Sequence, residues 1–242
     1  MSNLIQDKVL QRQRTANKRA KVLAWLRGEI YTTADVAATL LDIQRPAAWK
    51  TLSAMARDGL VRSERLPGGS SIIAVWGLTP HGAVAAREPG RDDFADLPYF
   101  ETGRVSPFTI HHALATQRLR LALEAEGWAD WQSEKECRRR GTAEGWLKVP
   151  DALARDPAGQ RVALEVERSF KTAKRYADVL SAYLRMVKQG QIDRIAYHCP
   201  PGMARHLQEL FHSIDSVMFQ GQRVGITSEH HARFSFQDLP RS

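Results

Sequence analysis

The chain has 242 residues, 43% of them hydrophobic, which is enough for one large domain or two small ones with buried cores. A net charge of +8 and a pI near 9.8 favour a polyanionic partner. Two cysteines, Cys137 and Cys199, make no disulfide framework and no CxxC zinc pattern; no stretch approaches the roughly 18 apolar residues of a membrane span, and the amino terminus lacks an apolar signal core. A disulfide-rich secreted protein and a membrane protein are thereby excluded, and the cytoplasm is the expected location.

Residues 1–17 are polar and basic without a strong apolar period. They are expected to form a basic arm that touches phosphates, a frayed helix being the alternative. Regular patterning starts at Lys18. Ala20, Val22, Leu23 and Leu26 fall on one helical face, and Thr33 is placed to cap a helix over Ala34–Leu41. A third helix begins near Pro46, buries Ala48, Leu52, Met55 and Ala56, and ends at Gly59. Strands at Leu60–Arg65 and Ser71–Trp76 flank the turn Pro67-Gly68-Gly69. Thr79 and Pro80 then restart a helix. Three helices and a hairpin predict a winged helix-turn-helix over residues 18–88. Its third helix leaves Arg45, Trp49 and Lys50 outside for a major groove, and Arg62 and Arg65 on the wing can reach phosphates, so double-stranded DNA is the expected partner. Winged helices also serve as dimerisation or docking modules, which leaves a homodimer open, and Trp49 has the alternative role of packing against a neighbour.

Residues 89–108 carry Pro, Gly and acids without periodicity and predict a linker. A second domain is expected over residues 109–242: helix 111–126, strand 128–137, a basic loop with Arg138, Arg139 and Arg140, a hairpin, helix 170–188, strand 193–198, helix 202–217 and a strand near 223–228. The fold class is therefore α+β or α/β, with an αβββαβ second domain. No glycine-rich phosphate loop follows its first strand, which argues against a Rossmann fold. The arginine cluster is either a solvated turn or a guide for a phosphate backbone. His198, His230 and His231 show no ligand spacing.

The hairpin is the most informative segment. Asp156-Pro157-Ala158-Gly159 closes a tight connection between Leu147–Ala154 and Arg161–Glu167. If residues 155 and 161 face each other, antiparallel pairing sets Asp151 opposite Glu165, with Cβ atoms roughly 5 Å apart. Val162, Leu164 and Val166 alternate with Ala163, Glu165 and Glu167, so one face is apolar and the other acidic. Three carboxylates on one patch need a solvated surface, a raised pKa or a divalent cation, and Glu134 is a further candidate ligand. The alternative is a half-exposed hairpin with an acidic outer face partnered by Arg161 and Arg168. After Glu167 the period turns helical, with Ser169 as a possible cap and Lys171, Lys174 and Arg175 in the first turns. Cations there oppose the helix dipole, so a nearby acid cluster or phosphate accounts for them better than helix stability does.

The order Pro150-Asp151, Glu165-Val166-Glu167, then Lys171 resembles the PD-(D/E)xK nuclease superfamily, with Glu167 where the commonest form has lysine and Lys171 as the substitute. Together with His112-Ala-Leu-Ala-Thr-Gln-Arg-Leu, Gly127-Trp128, Trp131-Gln-Ser-Glu134 and Tyr183, the pattern over about residues 18–200 is similar to the replication-relaxation family, which includes plasmid mobilisation relaxases. The resemblance implies a restriction-endonuclease-like second domain, catalytic roles for Asp151, Glu165, Glu167 and Lys171, and Mg²⁺ or Mn²⁺ held by Asp151, Glu165 and Glu134. Two functions follow. One is a metal-dependent relaxase or nickase acting at an origin-like site; Tyr176 or Tyr183 could be proposed as its nucleophile but at helical spacing fit packing better. The other is a non-catalytic DNA-binding accessory or transcriptional factor, working with other transfer or replication proteins, and the missing motif lysine argues for it.

Overall fold

The computed structural model describes residues 2–69, 71–88, 90, 97–219 and 221–240, with side chains from residue 7 onward. The chain forms two compact units, Met1–Gln117 and Arg118–Ser242. No helix among the described residues is long and apolar enough to cross a membrane.

The first unit runs α1 (Ser2–Glu29), β1 (Tyr31–Thr33), α2 (Ala34–Leu41), α3 (Arg45–Arg57), β2 (Val61–Pro67), β3 (Ile72–Leu78) and α4 (Pro80–Ala85), followed by the start of α5 (Ile110–Ala125). Its three-stranded antiparallel sheet has the order β1-β3-β2, with Val61 opposite Leu78 and Pro67 opposite Ile72. The helix starts follow local chemistry: Thr33 Oγ1 accepts from Val36 N, and Thr79 Oγ1 accepts from Gly82 N at 2.9 Å. Val22, Trp25, Leu26, Val36, Leu52, Met55, Val75 and Leu78 close the core. This is the helix and hairpin order expected from the sequence.

Two expectations change. Residues 2–17 are not an arm separate from the domain, because α1 runs unbroken to Glu29. In the expected linker, residues 89 and 91–96 lie outside the described residues, while the following segment lies on the sheet. Phe100 is buried, and its N–H donates to Leu78 O at 2.8 Å. Gly77 makes this possible, since a Cβ there would fall 2.2 Å from Phe100 Cβ and 2.6 Å from Ile30 O. The beginning of α5 is tied down by a buried polar pair: Thr32 Oγ1 donates to Gln117 Oε1 at 2.9 Å, and Gln117 Nε2 donates to Tyr31 O at 2.8 Å.

The second unit continues with β4 (Ala129–Ser133), α6 (Glu134–Glu144), β5 (Ala152–Arg155), β6 (Arg161–Val166), α7 (Ala173–Lys188), β7 (Arg194–Cys199), α8 (Met203–His212), β8 (Ser216–Phe219), β9 (Gln222–Gly225), α9 (Ser228–His231) and β10 (Phe234–Asp238). The five-stranded sheet has the order β10-β7-β6-β5-β4. Strands β4, β5 and β6 form an antiparallel meander, and β7 and β10 run parallel to β6. Leu153, Ala163, Ile195, Tyr197 and Cys199 of the sheet share a core with Tyr176, Leu180 and Tyr183 of α7 and Leu207 and Phe211 of α8.

The expected strand 128–137 stops at Ser133, and the expected basic loop is helix α6. Glu136 accepts from the backbone N–H of Ser133 at 2.8 Å and from its Oγ at 3.0 Å, a capping signal at the helix start. The expected strand near 223–228 is β9 of a separate two-stranded sheet with β8, and the strand that joins the main sheet is β10.

Candidate functional site

The β5–β6 register is the one expected, with Arg155 opposite Arg161 and Ala152 opposite Leu164. The turn explains why: the Asp156 carboxylate accepts from Ala158 N at 3.0 Å and Gln160 N at 2.9 Å, and Arg194 clamps its other oxygen at 2.7 Å. Asp151 sits one residue before β5, and the same register continued sets it opposite Glu165. Its Oδ2 accepts from Val166 N at 2.8 Å, so it binds the backbone of the neighbouring strand between the two glutamates.

The acidic face is not a solvent face. Alternation places Glu165 and Glu167 on the side of Ala163, which α7 covers, and each is only 5% exposed. Two buried carboxylates are costly to hold ionised unless each is paired and hydrogen-bonded. Lys148 Nζ reaches Glu165 Oε1 at 2.7 Å and donates to Val149 O at 2.7 Å, and the Tyr183 hydroxyl donates to the same Glu165 oxygen. Lys171 Nζ pairs with Glu167 Oε2 at 2.5 Å, and Glu167 N donates to His198 O at 3.0 Å. The centre thus holds two acid–lysine pairs side by side on one strand. Burial, followed by the charge of Asp151, pushes the Glu165 carboxyl up to about 7, against the opposing pull of Lys148 and Tyr183.

Lys171 lies just before α7, not within its first turn, and the helix is capped by Thr172, not Ser169. Glu134 is exposed at the start of α6 and pairs with Arg138 at 2.5 Å. It completes no triad with Asp151 and Glu165: among the described residues no group of three or more His, Cys, Asp or Glu could hold a metal ion. The donor set expected for Mg²⁺ or Mn²⁺ is therefore not assembled among the described residues: Glu134 pairs with Arg138 along α6, and Lys148 and Tyr183 both bind Oε1 of Glu165.

Neither tyrosine is poised as a nucleophile. Tyr183 is fully buried, and burial followed by the charge of Glu165 raises its phenol well above the ordinary value. The Tyr176 hydroxyl accepts from Lys171 N at 3.1 Å and is pushed up to about 12, chiefly by burial. Sequence patterning missed Lys148, which stands three residues before Asp151 in a segment without periodicity. His198, set aside in the sequence for want of ligand spacing, is buried on β7 with no hydrogen-bond partner on either ring nitrogen and is lowered to about 4 by burial and then by the Arg194 charge.

The basic candidates fall into three groups. On α3, Arg45 pairs with Asp35 at 2.8 Å with both side chains more than half exposed, and Lys50 is exposed. Trp49, 36% exposed, meets Trp76 edge-on at 5.2 Å and 87°, a contact that fastens α3 to the sheet while leaving part of the ring outside. On the wing strand β2, Arg65 is exposed and Arg62 half-buried. On α6, Arg138 and Arg139 are exposed, while Arg140 pairs with Glu144 at 2.7 Å and lies 5.3 Å over the Trp146 ring.

No protein-family model matches the chain, and no curated protein matches it at a meaningful level. Among solved structures it is similar to ZitR of Lactococcus lactis: 20% identity and a TM-score of 0.27 to a double-mutant apo form, covering 35% of this chain and 63% of that one. A single-mutant form of the same protein gives 26% identity and a TM-score of 0.26, covering 28% and 46%. The chain thus spans less than two thirds of the length of these structures.

Proposed function

We propose that this chain is a DNA-binding protein of plasmid or mobile-element transfer or replication. Its first unit contacts duplex DNA as a winged helix through α3 and the β2–β3 wing. Its second unit is a nuclease-like fold, an αβββαβ order with helix α6 inserted after its first strand, whose charged centre is neutralised from within and does not cleave. The observation that carries the non-catalytic reading is the pairing of the two buried glutamates, Glu165 in β6 and Glu167 just after it, with lysines of the chain itself, Lys148 with Glu165 and Lys171 with Glu167. A nuclease centre needs those oxygens free for a cation. DNA binding is supported by the net charge of +8 and by the exposed cations of α3 and the wing; the link to plasmid transfer rests on the sequence resemblance.

A second reading, a metal-dependent nickase, is favoured by Asp151 standing opposite Glu165 beside a lysine that keeps 27% of its side chain exposed. One assay separates the two. Supercoiled DNA carrying the intergenic region next to this protein's own coding sequence is incubated with the protein and Mg²⁺ or Mn²⁺. Binding without metal-dependent nicking is the expected result; nicking that disappears in both Asp151→Ala and Glu165→Ala overturns the non-catalytic reading in favour of the nickase.

A further inference from the structure

Helix α1 changes character along a single stripe. In its second half Val22, Trp25 and Leu26 are buried against the first unit's core. With about 100° per residue, the same side of the helix in its first half presents Lys8, Gln11, Arg12, Thr15, Lys18 and Arg19. Side chains 7–17 are all exposed, and from residue 7 to residue 21 there are six cations, Lys8, Arg12, Arg14, Lys18, Arg19 and Lys21, against one acid, Asp7. A stripe built this way has no apolar seam to bury. A second copy of the helix laid along it would set like charge against like. A polyanion satisfies all of these conditions at once.

The stripe is anchored where it leaves the core. Arg19 pairs with Asp58, the residue that ends α3, so the basic half of α1 is tied to the helix whose exposed side chains are the candidates for groove contact. From Lys8 to Arg19 the helix rises roughly 16 Å, the axial length of about five base pairs.

We propose that the exposed half of α1 is a phosphate-tracking extension that lies along duplex DNA beside the winged helix, with Lys8, Arg12 and Lys18 on the stripe and Arg14 at its flank as its contacts. This rests on the DNA-binding reading of the first unit and names an element outside the helix–turn–helix and the wing. The contacts are to backbone phosphates and carry no base specificity; they add affinity and salt dependence.

The test uses the full chain and a fluorescently labelled mixed-sequence duplex of about 30 base pairs, titrated between roughly 50 and 200 mM NaCl. A variant with Lys8, Arg12, Arg14 and Lys18 all changed to Gln keeps good helix formers, and its far-UV circular dichroism checks that α1 persists. Each lost phosphate contact lowers the slope of log K against log salt by about 0.9, so the expected change is about 3 to 4. Arg62→Gln with Arg65→Gln, on the wing, is expected to lower the slope independently. An unchanged slope in the α1 variant, with the wing variant still effective, overturns the extension and leaves the DNA reading standing. A wild-type chain that binds no duplex overturns both. Loss of a dimer in the α1 variant by light scattering, or preferential α1-dependent binding of an RNA hairpin over the duplex, assigns the stripe to another partner and overturns the proposal.

Discussion

Replacing Glu165 with Gln tests the electrostatics of the centre without changing its shape. Burial and the Asp151 charge hold the Glu165 carboxyl at about 7 instead of the ordinary 4.5. An acid raised in this way binds its proton more tightly folded than unfolded, so the stability it contributes is complete below pH 4.5 and is lost as the pH rises through about 7. At about 1.4 kcal/mol per pH unit, the ionised folded form is disfavoured by about 3 kcal/mol on the alkaline side. The amide of Glu165→Gln still accepts from Tyr183 and Lys148 through its carbonyl oxygen and never ionises. Urea denaturation at pH 5, 7 and 8.5, following the second unit, should therefore give similar midpoints for wild type and variant at pH 5, with the variant more stable by about 2 to 3 kcal/mol at pH 8.5. The difference between the proteins cancels the other titrating groups. A difference that does not vary with pH, or a wild type that gains on the variant as the pH rises, would show that Lys148 holds Glu165 ionised throughout and would refute the argument.

The second pair answers to a double-mutant cycle: Glu167→Lys and Lys171→Glu alone each leave like charges at a 5% exposed site and should cost about 3 kcal/mol or more in denaturant melts, whereas the combined swap restores an ion pair and should recover most of that loss. Lys148→Met should leave stability near pH 5 almost unchanged, where Glu165 is protonated, and lower it by up to about 2 kcal/mol at pH 8.5, the most that 1.5 pH units above a carboxyl at about 7 allows, read from the same melts. Gly77→Ala drives a Cβ to 2.6 Å from the backbone oxygen of Ile30 as well as into Phe100, and should destabilise the first unit by about 3 kcal/mol, seen as earlier proteolysis or a lower melting temperature. Trp49→Ala should cost about 1 to 2 kcal/mol of first-unit stability through the lost edge contact with Trp76.

The first unit was legible because its signals are local. Thr33 and Thr79 cap the helices they precede, Pro46 opens α3, and period-2 and period-3.6 patterns assign Val61, Val75, Leu52 and Met55 to one core. The hairpin register was legible for the same reason, since Asp156 and Gly159 fix the turn and the turn fixes the pairing. What failed was in part a local signal overlooked and in part a matter of contacts distant in sequence. The arginine-rich stretch 138–140 reads as a loop until the 134–138 and 140–144 acid–arginine pairs along a single helix are counted, and β10 has too weak an alternation to stand out before it lies against β7. The sequence left open whether the acidic face is solvated or a cation site, because a period-2 pattern does not say what covers a face; that α7 covers it follows only from the crossover to β7.

That burial removes the exposed-hairpin alternative and changes what the acids require. On an exposed hairpin, Asp151, Glu165 and Glu167 would be three solvated acids, and a lysine nearby would matter little. Under α7 the same residues must be neutralised one by one, and the chain supplies a cation for each glutamate: Lys148 from the segment before β5 and Lys171 from the segment after β6. Asp151 is satisfied differently, by the Val166 N–H of the strand it faces. The departure at position 167 then has a physical reading. A glutamate there needs a partner, Lys171 reaches back four residues to provide it, and the lysine that stands at Glu165 comes from the other side of the hairpin. A centre arranged in this way pairs each buried glutamate with a cation of the chain itself, and this is the observation on which the proposed non-catalytic reading stands.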